Sequence, residues 1–465
     1  MKKGPAERAG KFLPGIRGPR QVGKSAAADG RRSVRQAQAK FAFRYSVSTG
    51  RADYPCEVPK EPGKKCMEKG ESPSCKMTGF SIQYLETVCM KQKIMRLERK
   101  ACEKLMKATL ILANGSVFSG SSIGSTSDRI CEMVFNTSMA GYQEILTDPS
   151  YAGQGVVMSY PLIGNYGVNS EDNESNRPWV EAFVVRHLSP RGSNFRCEDT
   201  LNNFLKQHDI TGIEGVDTRA LTKILRSQGS MNGMVTCAEH FNVAEVLEKL
   251  RSYKVEHTVE RVTRKEPQVF AAYGEEKHRV AMMDYGVKQH MIECLRRRGC
   301  QVTAFPASTP AETILSGGYD GVMLSNGPGD PAENVEIIAQ LKKLYDSQIP
   351  MFGVCLGHQL LALATGAKTG RLAYGHRGGN HPVRDFEMGR VYITSQNHGF
   401  MVLSDTVDPA VAEVSHINVN DGTCEGLRYK RPNCFTTQFH PEANAGPRDT
   451  EYLFNRFVAS MGGDK

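Results

Sequence analysis

Past residue 279 the chain alternates between short apolar runs and amphipathic stretches. Residues 280–285, 301–305, 321–325 and 350–354 are rich in Val, Met, Ala, Leu and Phe, which is how parallel strands covered on both faces read. Between them, residues 288–298, 310–315 and 335–347 place apolar positions at helical spacing, with Gly299 closing the first. Alternation of this kind predicts a doubly wound parallel sheet. Ligands of such sheets bind beyond the carboxyl ends of the strands.

The stretch from residue 109 to about 263 has a different texture. Residues 110–113 and 116–118 flank Asn114-Gly115, a pair suited to a tight hairpin turn. Residues 133–135, 156–158 and 209–213 predict further strands. Residues 197–207 and 217–228 predict helices, the second with Asp217 as its N-cap. The expected organisation is therefore a mostly-β domain over 106–263, a polar linker over 264–278 and the α/β domain over 279–463. Residues 1–105 fit neither. The first fifty hold only Glu7 and Asp29 as acids among many Lys, Arg, Gly, Ala and Ser, with no apolar periodicity, so disorder is expected. A basic tail, an organelle transit segment and upstream sequence swept in by a wrong start all suit that composition. Met106 directly precedes the first clean strand and is expected to be the natural start.

Charge sharpens this division. Of the 59 Lys+Arg and 50 Asp+Glu, residues 1–107 hold 25 and 10, leaving 34 and 40 for the rest. The net +9 thus belongs to the N-terminal segment, and the mildly acidic body gives no support to a nucleic-acid surface. No apolar run approaches the roughly 18 residues a membrane helix needs. The 13 cysteines include no Cys-x-x-Cys pair. In a chain this long, that argues for reduced thiols in the cytoplasm and against a disulfide scaffold or a zinc module.

One cysteine stands apart. Cys355 follows the apolar run 350–354, precedes the helical run 360–364, and has Gly353 and Gly357 two residues to either side. A sharp strand-to-helix turn of this type lifts a nucleophile clear of the sheet. The helix N-terminus behind it favours a thiolate and an oxyanion. A buried structural cysteine fits the same position equally well when taken alone. A nucleophile needs a base, and the base an orienter. Residues 435–439 predict a strand that delivers His440-Pro441-Glu442, where the carboxylate can hold the imidazole tautomer. Gly327-Pro328-Gly329 offers close backbone N–H groups; Gly327 with Leu356 suits an oxyanion, and the same residues also make a plain turn. Gln396-Asn397-His398-Gly399-Phe400 follows a predicted strand over 391–395 and reads alone as a loop.

Taken together, Ser325-Asn326-Gly327-Pro328-Gly329-Asp330-Pro331, Gly353-Val354-Cys355-Leu356-Gly357-His358-Gln359, Gln396-Asn397-His398-Gly399-Phe400 and Phe439-His440-Pro441-Glu442-Ala443 resemble the class I (triad) glutamine amidotransferases. Gly375-His376-Arg377-Gly378-Gly379-Asn380-His381-Pro382-Val383 narrows the resemblance to the small-chain family of carbamoyl-phosphate synthases. The segment from Phe135-Asn136-Thr137 through Asp148-Pro149-Ser150-Tyr151 is similar to that family's N-terminal signature. The resemblance spans about residues 107–462. It implies an α/β fold: a mostly-β (β/β/α-type) N-terminal domain followed by a flavodoxin-like doubly wound amidotransferase domain.

By that resemblance Cys355 attacks the amide carbon of L-glutamine, His440 carries the proton to departing ammonia, and Glu442 orients His440. Gly327 and Leu356 would serve the oxyanion. Ser150, Gly329, Gln359, Asn397, Gly399 and Phe400 would hold the glutamine, with Ser150 reaching in from the first domain. The family pairs with a large synthetase subunit as a heterodimer and passes ammonia to it for carbamoyl phosphate, arginine and pyrimidine synthesis. No P-loop or ATP-grasp-like segment occurs here, so no metal or cofactor is expected in this chain. ATP and Mg2+ are expected at the large subunit. Two other readings compete: a cysteine peptidase or gamma-glutamyl hydrolase using the same Cys-His-Glu set, and a nucleic-acid-binding protein led by the basic tail.

Overall fold

Asn114-Gly115 turns the first strand back on itself. Gly115 takes φ +88 and donates its N–H to Leu112 at 2.9 Å. The Asn114 side chain accepts from the Ser116 N–H at 2.9 Å. This hairpin, Lys107–Leu112 with Val117–Gly124, opens a closed barrel in the computed structural model, which describes residues 106–462. The expectations of disorder, targeting and start site concern residues 1–105 and lie outside the described residues.

Around the barrel the strands run Lys107–Leu112, Val117–Gly124, Thr211–Glu214, Ala182–Val184, Gln154–Met158, Arg129–Asn136 and Met231–Thr236. Alternate side chains serve two apolar clusters. Met133 and Val157 join one, into which the helix Thr218–Gln228 sends Leu221 and Leu225. Val134 and Val156 join the other, with Leu201, Phe204 and Leu205 from the helix Leu201–Gln207. Asp217 caps the first of these helices, its side chain accepting from the Ala220 N–H at 3.0 Å.

The second domain is built on a ten-stranded sheet. Five central strands are parallel, in the order Cys300–Pro306, His278–Asp284, Gly321–Leu324, Met351–Val354, Cys434–Thr437. In chain order that is 2-1-3-4-5, the flavodoxin-like arrangement. Val280 and Met282 face one cluster with the helices Gln289–Arg296 and Tyr452–Met461. Ala281 and Met283 face the other, with Val335–Asp346 and Leu356–Ala364. Helices on both faces explain why these strands read as unbroken apolar runs.

Three stretches depart from expectation. Gln268–Phe270, within the expected linker, pairs antiparallel with Cys300–Pro306 as an edge strand. Residues 396–400 are not a loop but the end of a long strand, Arg390–Val402, paired with Thr369–Asp385. Their polar, glycine-rich sequence carries no alternation, and the partner strand decides the conformation. Tyr142–Thr147, read only as part of a family signature, is a short helix.

Candidate active site

Three adjacent parallel strands finish at one sheet edge, in register at Leu324, Gly353 and Thr436. Each delivers a motif there. The first leads into the loop of Asn326, Gly327 and Gly329, the second into Cys355, the third into His440 and Glu442.

Cys355 occupies the turn between Met351–Val354 and Leu356–Ala364 with φ 54 and ψ −104. A non-glycine residue adopts that backbone only when its surroundings impose it. They do so here: the Cys355 N–H is held by the Thr437 carbonyl at 2.8 Å and the Gly357 N–H by Ser325 at 3.0 Å. A Cβ on Gly357 would lie 2.5 Å from the Leu324 carbonyl oxygen, so only glycine lets the helix start this close to the sheet. The Cys355 sulfur is buried and donates to the Asn397 carbonyl at 3.6 Å.

His440 is anchored by its own N–H on the Ser395 carbonyl at 2.9 Å. Its Nδ1 lies 2.7 Å from Glu442 Oε1, while Nε2 is buried with no hydrogen-bond partner. Burial by itself would lower the imidazole pKa. The Glu442 charge overturns that, the Cys355 sulfur adds to the rise, and the pKa reaches about 10. Glu442 is driven upward by burial but held down to about 2 by the charges of Lys288 and His440. Lys288, itself buried, donates from Nζ to Glu442 Oε1 at 3.1 Å and to the Ala443 carbonyl at 2.8 Å. Burial works against its charge; Glu442, Glu174 and Asp148 outweigh burial and raise its pKa.

A cavity of about 660 Å³ opens in front of the sulfur. Ser150, Gly327, Gly329, Gln359, Asn397, Gly399 and Phe400 line it together with Cys355. His440 lines a separate small cavity of about 30 Å³ that shares Asn397 with the first. Leu356, the first residue of the helix, packs against Gly327, where a Cβ would lie 2.7 Å from Leu356 Cδ2. The Gln359 Nε2 donates to the Phe400 carbonyl at 2.8 Å and to Gln438 Oε1 at 2.9 Å. Ser150 arrives from the first domain on the short 3-10 turn Pro149–Tyr151, which Asp148 caps by accepting its N–H at 2.9 Å. Its hydroxyl accepts from Asn326 Nδ2 at 2.9 Å. Asp148 also accepts from Asn397 Nδ2 at 3.0 Å. The two domains therefore close over the site through three buried polar side chains beside Ser150.

Lys288, Asp148 and Asn326 were not among the residues expected from sequence. Lys288 carried a usable signal, since it lies just past the carboxyl end of a predicted parallel strand, where ligand-facing residues gather. His376, His398 and Glu425 place potential ligand atoms within 4.8 Å of one another. Both ring nitrogens of His398 already have oxygen partners, at 2.7 and 3.1 Å, and His376 Nε2 lies 2.8 Å from Asp421. His398 is thus fully engaged, while His376 Nδ1 and Glu425 Oε2 are buried without a hydrogen-bond partner.

Residues 110–235 match the carbamoyl-phosphate synthase small chain, CPSase domain, family, and residues 281–460 match the glutamine amidotransferase class-I family. The carbamoyl phosphate synthase small chain of Clostridium perfringens is 48% identical over 353 residues, covering 76% of this chain and 99% of its own. That of Listeria monocytogenes is 47% identical over 360 residues, covering 77% and 98%. That of Fusobacterium nucleatum is 47% identical, covering 76% and 97%. Among the described residues no helix is long and apolar enough to cross a membrane.

Proposed function

The chain belongs to the carbamoyl phosphate synthase small-chain family, and from that premise we propose that it hydrolyses L-glutamine through Cys355 and hands the ammonia to a large synthetase subunit. The buried relay from Lys288 through Glu442 to His440, set beside a sulfur on a strained turn, is the observation that carries this reading. One Glu442 oxygen, Oε1, accepts from Lys288 and also holds His440 Nδ1. That fixes the ring tautomer and leaves Nε2 as the proton carrier.

In this reading the sulfur attacks the side-chain amide carbon, and a C–S bond forms as the carbonyl oxygen takes up negative charge. The N–H groups of Leu356 and Gly327 are assigned to that oxyanion, a reading supported by Gly327 lining the cavity and by Leu356 opening the helix behind Cys355. The C–N bond then breaks, with the imidazolium of His440 giving its proton to departing ammonia. Water attacks the thioester, His440 accepts one of its protons, and glutamate leaves as the thiol is restored. The raised pKa of His440 suits an imidazolium that neutralises charge on sulfur and serves as the acid. Ser150, Gly329, Gln359, Asn397, Gly399 and Phe400 form the pocket for the rest of the substrate.

Ammonia released in bulk water would be protonated and lost, so the product calls for direct transfer to a partner. ATP, Mg2+ and bicarbonate are assigned to that partner, the pair forming a heterodimer in the cytoplasm. The proposed product is carbamoyl phosphate for arginine and pyrimidine synthesis. The test is Cys355→Ala in the assembled complex. Glutamine-dependent carbamoyl phosphate should vanish while synthesis from added ammonia continues. Persisting glutamine turnover would reject Cys355 as the nucleophile.

A further inference from the structure

Arg377 is a buried charge with no counter-charge. It lies in the strand Thr369–Asp385, is 4% exposed, and lines the same cavity as Cys355, Gln359 and Asn397. One guanidinium nitrogen, Nη1, donates to the Tyr374 carbonyl at 2.8 Å. Its Nε is buried with no partner. Among the described residues no carboxylate forms an ion pair with it. Glu132, the acid with most influence on its charge, is engaged by Arg371 and by Gln154. Desolvating a guanidinium is costly unless something of opposite charge meets it. The protein supplies none, and since Nε is shut off from the cavity, a partner arriving with the ligand would meet the guanidinium at its Nη nitrogens.

The surroundings say where that ligand lies. A Cβ on Gly399 would sit 3.4 Å from Nη2 of Arg377, and one on Gly375 would sit 2.3 Å from Nη1. The guanidinium is therefore packed among bare backbone, next to a residue that lines the pocket in front of the sulfur. A planar fork of N–H donors matches a carboxylate better than any other small anion except phosphate. The substrate of the proposed reaction has one carboxylate, at the end opposite its amide.

We propose that Arg377 binds the α-carboxylate of the substrate and so restricts the pocket to free amino acids bearing a side-chain amide. The assignment rests on the glutaminase reading above and deepens it. Its consequence is specificity: a glutamine within a peptide, whose carboxyl is tied up as an amide, would leave the guanidinium unpaired.

The test uses the full chain assembled with its synthetase subunit, and compares KM for glutamine with Ki for 4-aminobutanamide, which is glutamine without the carboxylate. In Arg377→Gln, KM should rise about 100-fold, as for loss of a buried charged hydrogen-bonded pair, while Ki stays within about twofold because the analogue has no group to lose. Arg377→Lys should recover part of KM, since it keeps the charge without the fork. Both constants come from one sample, so a reduced folded fraction does not disturb them. If KM and Ki rise together, or neither moves, the carboxylate assignment is wrong. A folded Arg377→Gln protein, judged by circular dichroism, that turns over no glutamine at any concentration would also overturn it, because the charge would then act on the reacting atoms. Should Arg377→Gln fail to fold, Arg377→Lys decides alone: KM up about tenfold with Ki unchanged supports the assignment, and an equal rise rejects it. Failure of the wild-type complex to hydrolyse glutamine at all would be a different result, against the glutaminase reading itself.

Discussion

Glu442 is the residue on which the site's charge balance turns. It sits fully buried with a lysine and an imidazole both on its Oε1, one carboxylate answering two cationic groups. Replacing Lys288 by Met should therefore do more than remove one hydrogen bond. It breaks one of the two buried ion pairs at Glu442 and takes a cation from Glu174 and Asp148 as well, and removing one partner of a buried pair costs about 3–5 kcal/mol. Thermal unfolding should show the loss, and glutaminase kcat should fall with it because Glu442 no longer holds His440 in one tautomer. A Lys288→Met protein as stable and active as wild type would show that the lysine is incidental. The pH dependence of stability has a definite sign. His440 is raised from an ordinary 6.5 to about 10, so its contribution is complete below 6.5 and drains away as pH climbs to 10. Glu442 is lowered from 4.5 to about 2, so its contribution is complete above 4.5 and drains away toward 2. Against a His440→Gln variant, wild type should hold its largest melting-temperature advantage near pH 6 and lose it by pH 10. At Lys288 the sequence shows the position, just past the carboxyl end of a predicted strand, but not the three carboxylates from distant segments that hold its charge.

At the scale of elements, the site is a product of the turn between Met351–Val354 and Leu356–Ala364. Gly357 abuts backbone, not a flexible side chain, so Gly357→Ala has nothing soft to displace. It should cost about 1–3 kcal/mol of stability by overpacking and abolish glutamine turnover by shifting Cys355, both read on the purified complex. Asp217→Ala serves as a contrast. It removes the cap on Thr218–Gln228, away from the cavity, and should cost about 0.5–2 kcal/mol while leaving kcat alone. Elements like these were legible because their signals are local: a capping aspartate, paired glycines around a cysteine, strands apolar on both faces. The hairpin of Thr369–Asp385 with Arg390–Val402 was not. Its register shifts near residues 371–376 and 378–381, and its polar glycine-rich strands are stabilised by each other and by contacts such as the Thr137 N–H on the Arg377 carbonyl. Tyr142–Thr147 was missed for a related reason. Six residues behind a left-handed Gly141, without a side-chain cap, give no helical period to read.

At the scale of the molecule, the pocket exists because two domains meet. The barrel contributes Asp148 and Ser150, the sheet contributes Asn326 and Asn397, and the four form one buried hydrogen-bonded patch. A second seam runs from Glu174, which accepts from Asn444 Nδ2 at 2.6 Å and from the His290 N–H at 3.1 Å. Polar seams of this kind hold two bodies in a defined relation at modest net energy, because each bond replaces one to water. Their loss is felt more in geometry than in stability. Asp148→Ala would leave the Asn397 amide and the Ser150 N–H without their acceptor, at about 1–3 kcal/mol for each buried donor left unsatisfied. Both residues border the cavity in front of Cys355. The expected outcome is a KM for glutamine raised by about tenfold or more, in proportion to that energy, with a smaller change in kcat, since Cys355, His440 and Glu442 all belong to the other domain. Steady-state kinetics of the variant in its complex decide the matter. A kcat that collapses while KM holds would mean that the first domain reaches into the chemistry itself, and that the division between a barrel that clamps and a sheet that reacts is drawn in the wrong place.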